Sequence, residues 1–369
     1  VPSSAPASPC QDHLPEEAFV EAVDRRMAAL LADYRRSAEE ISTSAAPLVE
    51  AIAGLVRGGK RVRAILAWWG WRGAGGAVDD QRIIDAAVGL ELFQAAALIH
   101  DDILDRSDTR RGEPSIHRAF AARHQQAGWR QDPEHFGTSA AILTGDLCLA
   151  LSEEVFARAA DATGSPAAGR TMFNRMRFEV MAGQYLDVLD EVEVPGQDPA
   201  EALARARTVL RYKSARYSVV HPLNLGGVLA DTDGAPLSHY EAFSLPLGEA
   251  FQLQDDLLGV FGDPEVTGKP AGDDLREGKR TELVAHALSL LSPGQARILE
   301  DALGDPDLTP ESVARLQSLL TECGARARVE DEVAMLGDQA LGALDEMTVD
   351  DAVRDGLARL AHRILRQDR

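Results

Sequence analysis

An all-α fold follows from three observations on this 369-residue chain. Strand-like alternation is almost absent. Apolar residues recur at i, i+3 and i+4 along most of the length. Ala and Leu are abundant while aromatics make up 5%, a composition that favours helix. With 45% hydrophobic residues, the chain can bury a sizeable core. The period places helices over 15–36, 40–56, 61–72, 79–105, 115–125, 137–162, 167–191, 198–211, 213–231, 238–261, 281–291, 309–322, 324–345 and 349–367. Pro and Gly supply the breaks, at GSPAAG (164–169), EVPGQDP (193–199) and TDGAP (232–236). The longest break, GDPEVTGKPAGDDLREGKRT (262–281), interleaves Gly, Lys and Asp, and loops of that length inside a domain tend to be functional. No composition shift divides the chain. Residues 15–369 are therefore expected to form one helical domain behind a disordered leader, 1–14.

Charge narrows the function. The formal net charge is −21, from 38 basic and 59 acidic residues. That disfavours nucleic-acid binding and attraction to anionic membranes, but not small anions held by locally clustered Lys and Arg. Cys10, Cys148 and Cys323 are odd in number and far apart, so neither a disulfide framework nor a zinc motif follows. The N-terminus lacks the basic and apolar regions of a signal peptide. No stretch of the roughly 18 apolar residues that span a bilayer is expected, and the expected location is cytoplasmic.

Two acidic clusters carry the chemistry. LFQAAALIHDDILDRSDTRRG ends an apolar helix in Asp101, Asp102, Asp105 and Asp108. Residues i and i+4 differ by about 40° on the helical wheel, so Asp101 and Asp105 share a face, with Asp108 near it if the helix continues. Clustered carboxylates repel unless a cation compensates, and Mg²⁺ takes a few carboxylates plus water and phosphate oxygens. A bare DDxxD also suits a solvated helix end. Arg110 and Arg111 change the balance, because guanidinium groups fit phosphates bidentately. EAFQLQDDLLGVFGD repeats the arrangement with Asp255, Asp256 and, after a turn, Asp263. Lys269 and Lys279 follow in the long loop, Lys213 lies in RYKSARYS, and Lys60, Arg61 and Arg63 lie in RGGKRVRA. Together these describe a site for one or two diphosphates with shared metals.

In the order GGKRxR, DDxxD with RRG, and FQxxDD with GKPxGxDxxxGKRT, the chain resembles the trans-isoprenyl diphosphate synthases of the polyprenyl synthetase family, most closely the geranylgeranyl diphosphate synthases. The resemblance runs from about Lys60 to Thr281. It implies antiparallel helices around a deep central cavity, a homodimer, and three Mg²⁺ per occupied site. It implies that Lys60, Arg63, Gln94 and Arg111 bind isopentenyl diphosphate. Arg110, Lys213, Ser214, Gln252 and Lys269 would hold the allylic diphosphate, with Lys279 extending the basic rim. Asp101, Asp105 and Asp255 would be the principal metal ligands, with Asp102 and Asp256 as neighbouring acids. The catalytic set is Asp101, Asp105, Lys213 and Asp255. Two departures stand out: Gly259 replaces the last Asp of the second motif, leaving that site to Asp255 with Asp256 or water, and Lys213-Ser214 replaces a Lys-Thr pair.

The implied reaction is head-to-tail (1′-4) condensation of isopentenyl diphosphate with an allylic diphosphate. Small Ala96 and Ala97 below Asp101 leave the upper cavity open, and Phe93, about 12 Å down at 1.5 Å per residue, is a candidate floor. That favours a twenty-carbon product, geranylgeranyl diphosphate, with farnesyl diphosphate second. A class I terpene cyclase would need an NxxxSxxxE pattern, which is absent. A head-to-head condensing enzyme would use different acidic motifs. A non-catalytic regulatory subunit could lose metal ligands, as Gly259 illustrates. His100 and His117 are read as packing or hydrogen-bonding residues. The segment 124–137 is left as a lid or a surface loop.

Overall fold

The computed structural model describes residues 16–193, 198–230, 236–263 and 271–366. The expected leader 1–14, Cys10 and Lys269 lie outside the described residues. Four helices open the fold: α1 (Glu16–Ile41), α2 (Ala46–Leu55), α3 (Val62–Gly73) and α4 (Gln81–Leu104). A two-residue hairpin, β1 (Thr109–Arg110) with β2 (Glu113–Pro114), leads to α5 (Ile116–Gln126), α6 (Pro133–Asp161), α7 (Pro166–Val192) and α8 (Pro199–Val209). A π-helix, Leu210–Val220, joins α8 to α9 (His221–Leu229), and α10 (Leu237–Phe261) follows. The C-terminal part holds α11 (Asp273–Glu277), α12 (Glu282–Leu290), α13 (Pro293–Ala302), α14 (Pro310–Glu322), α15 (Ala325–Asp345) and α16 (Asp351–Arg366).

The fold is all-α, as the periodicity predicts. Where the starts differ from expectation, capping explains it. α6 begins at Pro133 rather than 137 because Asp132 accepts from the Glu134 N–H at 3.0 Å and Pro suits the first helical position. Two α-helices escape the sequence reading, short α11 inside the long loop and α13, opened by a Ser292–Gln295 capping box, as does the β1–β2 hairpin. The expected break between helices ending at 211 and starting at 213 is instead a continuous π-helix.

α4 is the centre of the larger core. Ile83, Val88, Leu90, Leu92, Phe93, Ala96 and Ile99 are all buried, and α6 packs along it. By length and composition α4 could cross a membrane, which corrects the expectation that no stretch could. The helix holds no unbroken run of apolar residues of that length, but few charges interrupt its apolar stretch. In the fold 67% of that stretch is buried. A second apolar cluster, with Leu253, Val260, Leu283, Leu316 and Val329, joins α10 to the C-terminal helices.

α3 and α9 touch backbone to backbone. A Cβ on Gly226 would lie 1.8 Å from the Ala67 carbonyl oxygen, and one on Gly70 1.9 Å from that of Leu223. Gly226→Ala must therefore push the helices apart. The expected cost is about 3 kcal/mol, read as a lower urea midpoint; an unchanged midpoint would contradict this contact.

Candidate active site

The first acidic cluster takes its geometry from the end of α4. The helix stops at Leu104, and Asp105 caps it, its N–H donating to the Asp101 carbonyl at 2.8 Å. Asp101 and Asp105 thus stay one turn apart. Asp108 lies beyond the helix, exposed and paired with Arg118 at 2.6 Å, so it does not extend their face. Asp102 is 2% exposed and accepts from Arg110 Nε at 2.9 Å. It holds the hairpin in place. That hairpin turns at Arg111 and Gly112, with φ of 56° and 79°, the left-handed pair of a type I′ turn. Arg110 Nη2 also reaches within 3.9 Å of Asp101.

Two half-buried lysines stand among the acids. Lys213, on the π-helix, lies 3.6 Å from Asp101 Oδ1 and donates to Asp187 on α7. Gly183 permits this approach, since a Cβ there would meet the Lys213 nitrogen at 2.3 Å. Lys279 Nζ lies 3.4 Å from Asp105, 3.2 Å from Asp274 and 2.5 Å from Glu277. Burial works against both charges, yet the facing carboxylates outweigh it, and both lysines hold their protons above the ordinary range. Burial, aided by Asp101, raises Asp105. Burial, then Asp187 and Asp105, lifts Glu191 at the end of α7 to about 7.

The second cluster lies across Lys279 from the first. Asp255 is exposed, while Asp256 is buried and accepts from Gln252 at 2.8 Å. Burial and nearby Asp274 hold Asp256 well above the usual carboxylate range. Gly259 has a physical reason: a Cβ there would stand 1.9 Å from Asp274 Oδ2. Asp274, from α11, fills the space a side chain at 259 would take. Asp274 thus adds a carboxylate at this end of α10, beside the Asp255 and Asp256 that the sequence offers.

A second group of basic residues gathers around Glu91 and Gln94, two to three turns before Asp101 on α4. Arg61, at φ 50°, is buried and bonded to Asp24 at 2.7 Å and Glu91 at 3.1 Å. Lys60 is exposed beside it. Arg63 donates to Ser218 Oγ at 2.7 Å and lies 4.5 Å over the Tyr217 ring, whose hydroxyl donates to Gln94. The Arg111 guanidinium would sit 3.3 Å from a Cβ on Gly59, so the GGKR and RRG segments meet. Ser214 is half-buried next to Lys213. His100 and His117 serve other contacts, with Asp146 at 3.6 Å and Ser115 at 3.1 Å. Segment 124–137 forms a packed surface corner around Trp129 and Phe136, 5.3 Å apart.

The family model for polyprenyl synthetase matches residues 46–321. The chain belongs to the polyprenyl synthetase family. It is a trans-prenyltransferase that condenses isoprenoid diphosphates, and the family uses a divalent metal. Geranylfarnesyl diphosphate synthase of Aeropyrum pernix is 30% identical over 82% of this chain and 88% of its own. A (2E,6E)-farnesyl diphosphate synthase of Mycobacterium tuberculosis is 30% identical over 83% and 79%. A crystal structure of geranylgeranyl pyrophosphate synthase from Corynebacterium glutamicum, complexed with isoprenyl diphosphate and magnesium, superposes with a TM-score of 0.88. It is 38% identical and covers 95% of this chain and 99% of that one.

The residues at the α4 end suit a divalent cation. Both Asp105 carboxylate oxygens are buried and accept no hydrogen bond, which is costly unless a charge is to be met there. Asp187, Glu191, Asp274 and Glu277 were missed in the sequence. GQYLDVLDE at the end of α7 was the available signal, a third apolar helix closing in acids.

Two outcomes follow. Asp105, Asp256 and Glu191 keep their protons to higher pH in the folded chain than when unfolded. The folded state then binds more protons, so metal-free stability falls as pH rises, for Glu191 between the ordinary 4.5 and about 7. Burial lowers His117 and His221, which act in the opposite sense over the lower part of that window. The check is therefore a difference: the metal-free wild type should lose thermal midpoint relative to Glu191→Gln as pH rises through it, and parallel profiles would count against the Glu191 shift. Gly259→Asp should not restore a motif. It collides with Asp274, and turnover is expected to drop by roughly tenfold or more, whereas a gain in steady-state turnover would refute the packing argument.

Proposed function

We propose that this prenyltransferase joins isopentenyl diphosphate to an allylic diphosphate and releases geranylgeranyl diphosphate. One observation supports the two-substrate reading: basic side chains form two groups along α4, one around Gln94 and one at its Asp101 end. Lys60, Arg63 and Arg111 form one, and Lys213 with Lys279 stands in the other between the acidic helix ends. A terpene cyclase would need only one.

Bound Mg²⁺, three ions in this reading, would neutralise the allylic diphosphate and stabilise its charge as it leaves. Asp101 and Asp105 would hold it from α4 and Asp255 from α10, with Asp256 behind. Lys213, Lys279 and Arg110 supply fixed positive charge where the leaving diphosphate develops its own. Gln252 and Ser214 complete that side, and the family resemblance assigns Lys269, which lies outside the described residues, to the same diphosphate. Substrate phosphates would relieve the lysines of their present carboxylate partners. Lys60, Arg63, Arg111 and Gln94 orient the second diphosphate so that its double bond faces the allylic carbon. The apolar face of α4 offers no nucleophile to quench the cation.

Product length rests on the aromatics beneath. Phe93 is 2% exposed, with its ring 5.5 Å from Tyr217 and 6.2 Å from Phe173, both edge-on. Of the two alanines above, Ala97 is half-buried and Ala96 fully buried, so Ala97 is the one with surface to offer. Farnesyl diphosphate is the alternative product. A homodimer through α6 and α7 is part of the proposal, supported by exposed Leu143, Phe178, Met181 and Tyr185. So is a cytoplasmic location, supported by the free thiols Cys148 and Cys323.

Labelled isopentenyl diphosphate with dimethylallyl, geranyl or farnesyl diphosphate and Mg²⁺, followed by dephosphorylation and chromatography, tests this. Twenty-carbon alcohol is expected as the longest main product; fifteen carbons would select the alternative. Phe93→Ala should lengthen the product by one or more five-carbon units, and an unchanged distribution would remove Phe93 as the floor.

A further inference from the structure

α12 and α15 gather three metal-type side chains outside the diphosphate site. Glu282 and His286 lie one turn apart on α12, and Glu332 reaches them from α15. One ligand atom from each lies within 4.8 Å of the other two. Glu282 is 2% exposed and His286 9%. The His286 Nε2 atom is buried without a hydrogen-bond partner, and Glu282 Oε1 stands 3.4 Å from it. An orphaned buried imidazole nitrogen facing carboxylates is costly unless something meets it.

Arg207 is the present cation there. Its Nη2 donates to Glu282 Oε1 at 2.8 Å and to Glu332 Oε1 at 2.7 Å. It serves the two carboxylates and offers nothing to the imidazole, whose Nε2 has Glu282 Oε1 at 3.4 Å but makes no hydrogen bond. Its side chain is 46% exposed, so it can withdraw into water.

We propose that Glu282, His286 and Glu332 form a second metal site that takes a divalent transition-metal ion of the Zn²⁺ type. One imidazole and two carboxylates are a donor set for Zn²⁺, whereas Mg²⁺ favours oxygen alone. The ion satisfies all three groups at once and displaces Arg207. It ties α12, whose first residue lies three positions after Lys279, to α15. The site is thus a clasp holding the segment that carries Lys279, with no part in bond making.

Equilibrium dialysis of the full chain against Zn²⁺, with saturating Mg²⁺ to occupy the aspartate clusters, tests it by metal analysis. The wild type should retain one Zn²⁺ equivalent that His286→Asn loses, with affinity lower by roughly 100-fold or more, and Glu332→Gln should weaken it by about tenfold. Co²⁺ in place of Zn²⁺ should give visible absorption bands that vanish in His286→Asn. Because Arg207 competes with the ion, Arg207→Ala should tighten Zn²⁺ binding severalfold. No retained Zn²⁺ in the wild type, or equal retention by His286→Asn, overturns the proposal. If His286→Asn does not fold, Arg207→Ala decides alone: unchanged or weaker Zn²⁺ binding overturns it.

Discussion

Carboxylates crowd at the ends of α4, α7 and α10, and the fold depends on the two lysines that stand between them. Lys213 answers Asp101 and Asp187; Lys279 answers Asp105, Asp274 and Glu277. Without these cations, burying so many like charges would cost several kcal/mol per ion. The helices are placed by apolar packing, but their ends can converge only because each lysine neutralises more than one acid. The same lysines are the groups a diphosphate would claim, so these ion pairs are the ones that substrate binding would exchange.

This explains how a chain with net charge −21 can handle polyanions. The field that matters is local. Arg61 spends its charge on Glu91 and Asp24, and Arg110 much of its own on Asp102. Each is structural first. Arg61 fixes the entry to α3 and so the position of Lys60 and Arg63. Arg110 sets the hairpin and so the position of Arg111, whose proton is held less tightly through burial and nearby Arg61.

Much of this was legible in the sequence. The 3.6-residue period exposes every long helix, because each buries one broad face. The aspartate pairs and basic segments are legible because residue type and spacing suffice for them. The rest depends on contacts between distant segments. Nothing local marks Asp274 as the reason for Gly259, or Asp187 as the partner of Lys213. Asp102 looks equivalent to Asp101 until the hairpin folds back on it. The π-helix also escapes, since a widened turn leaves the apolar pattern almost unchanged. α13 is amphipathic but short and follows Ser-Pro, so it reads as loop until the capping box is seen.

The Arg61 anchor has a consequence for where this enzyme begins and ends. The segment that the family model matches starts at residue 46, yet Asp24, one of the two carboxylates that hold Arg61, belongs to α1. At the other end, the Leu365 carbonyl accepts from Gln254, next to Asp255, and Arg363 pairs with Glu16 at 2.6 Å. The boundaries of the family model and of mechanical support do not coincide. A chain trimmed to the shared segment would keep the chemical groups and lose part of the frame that aims them.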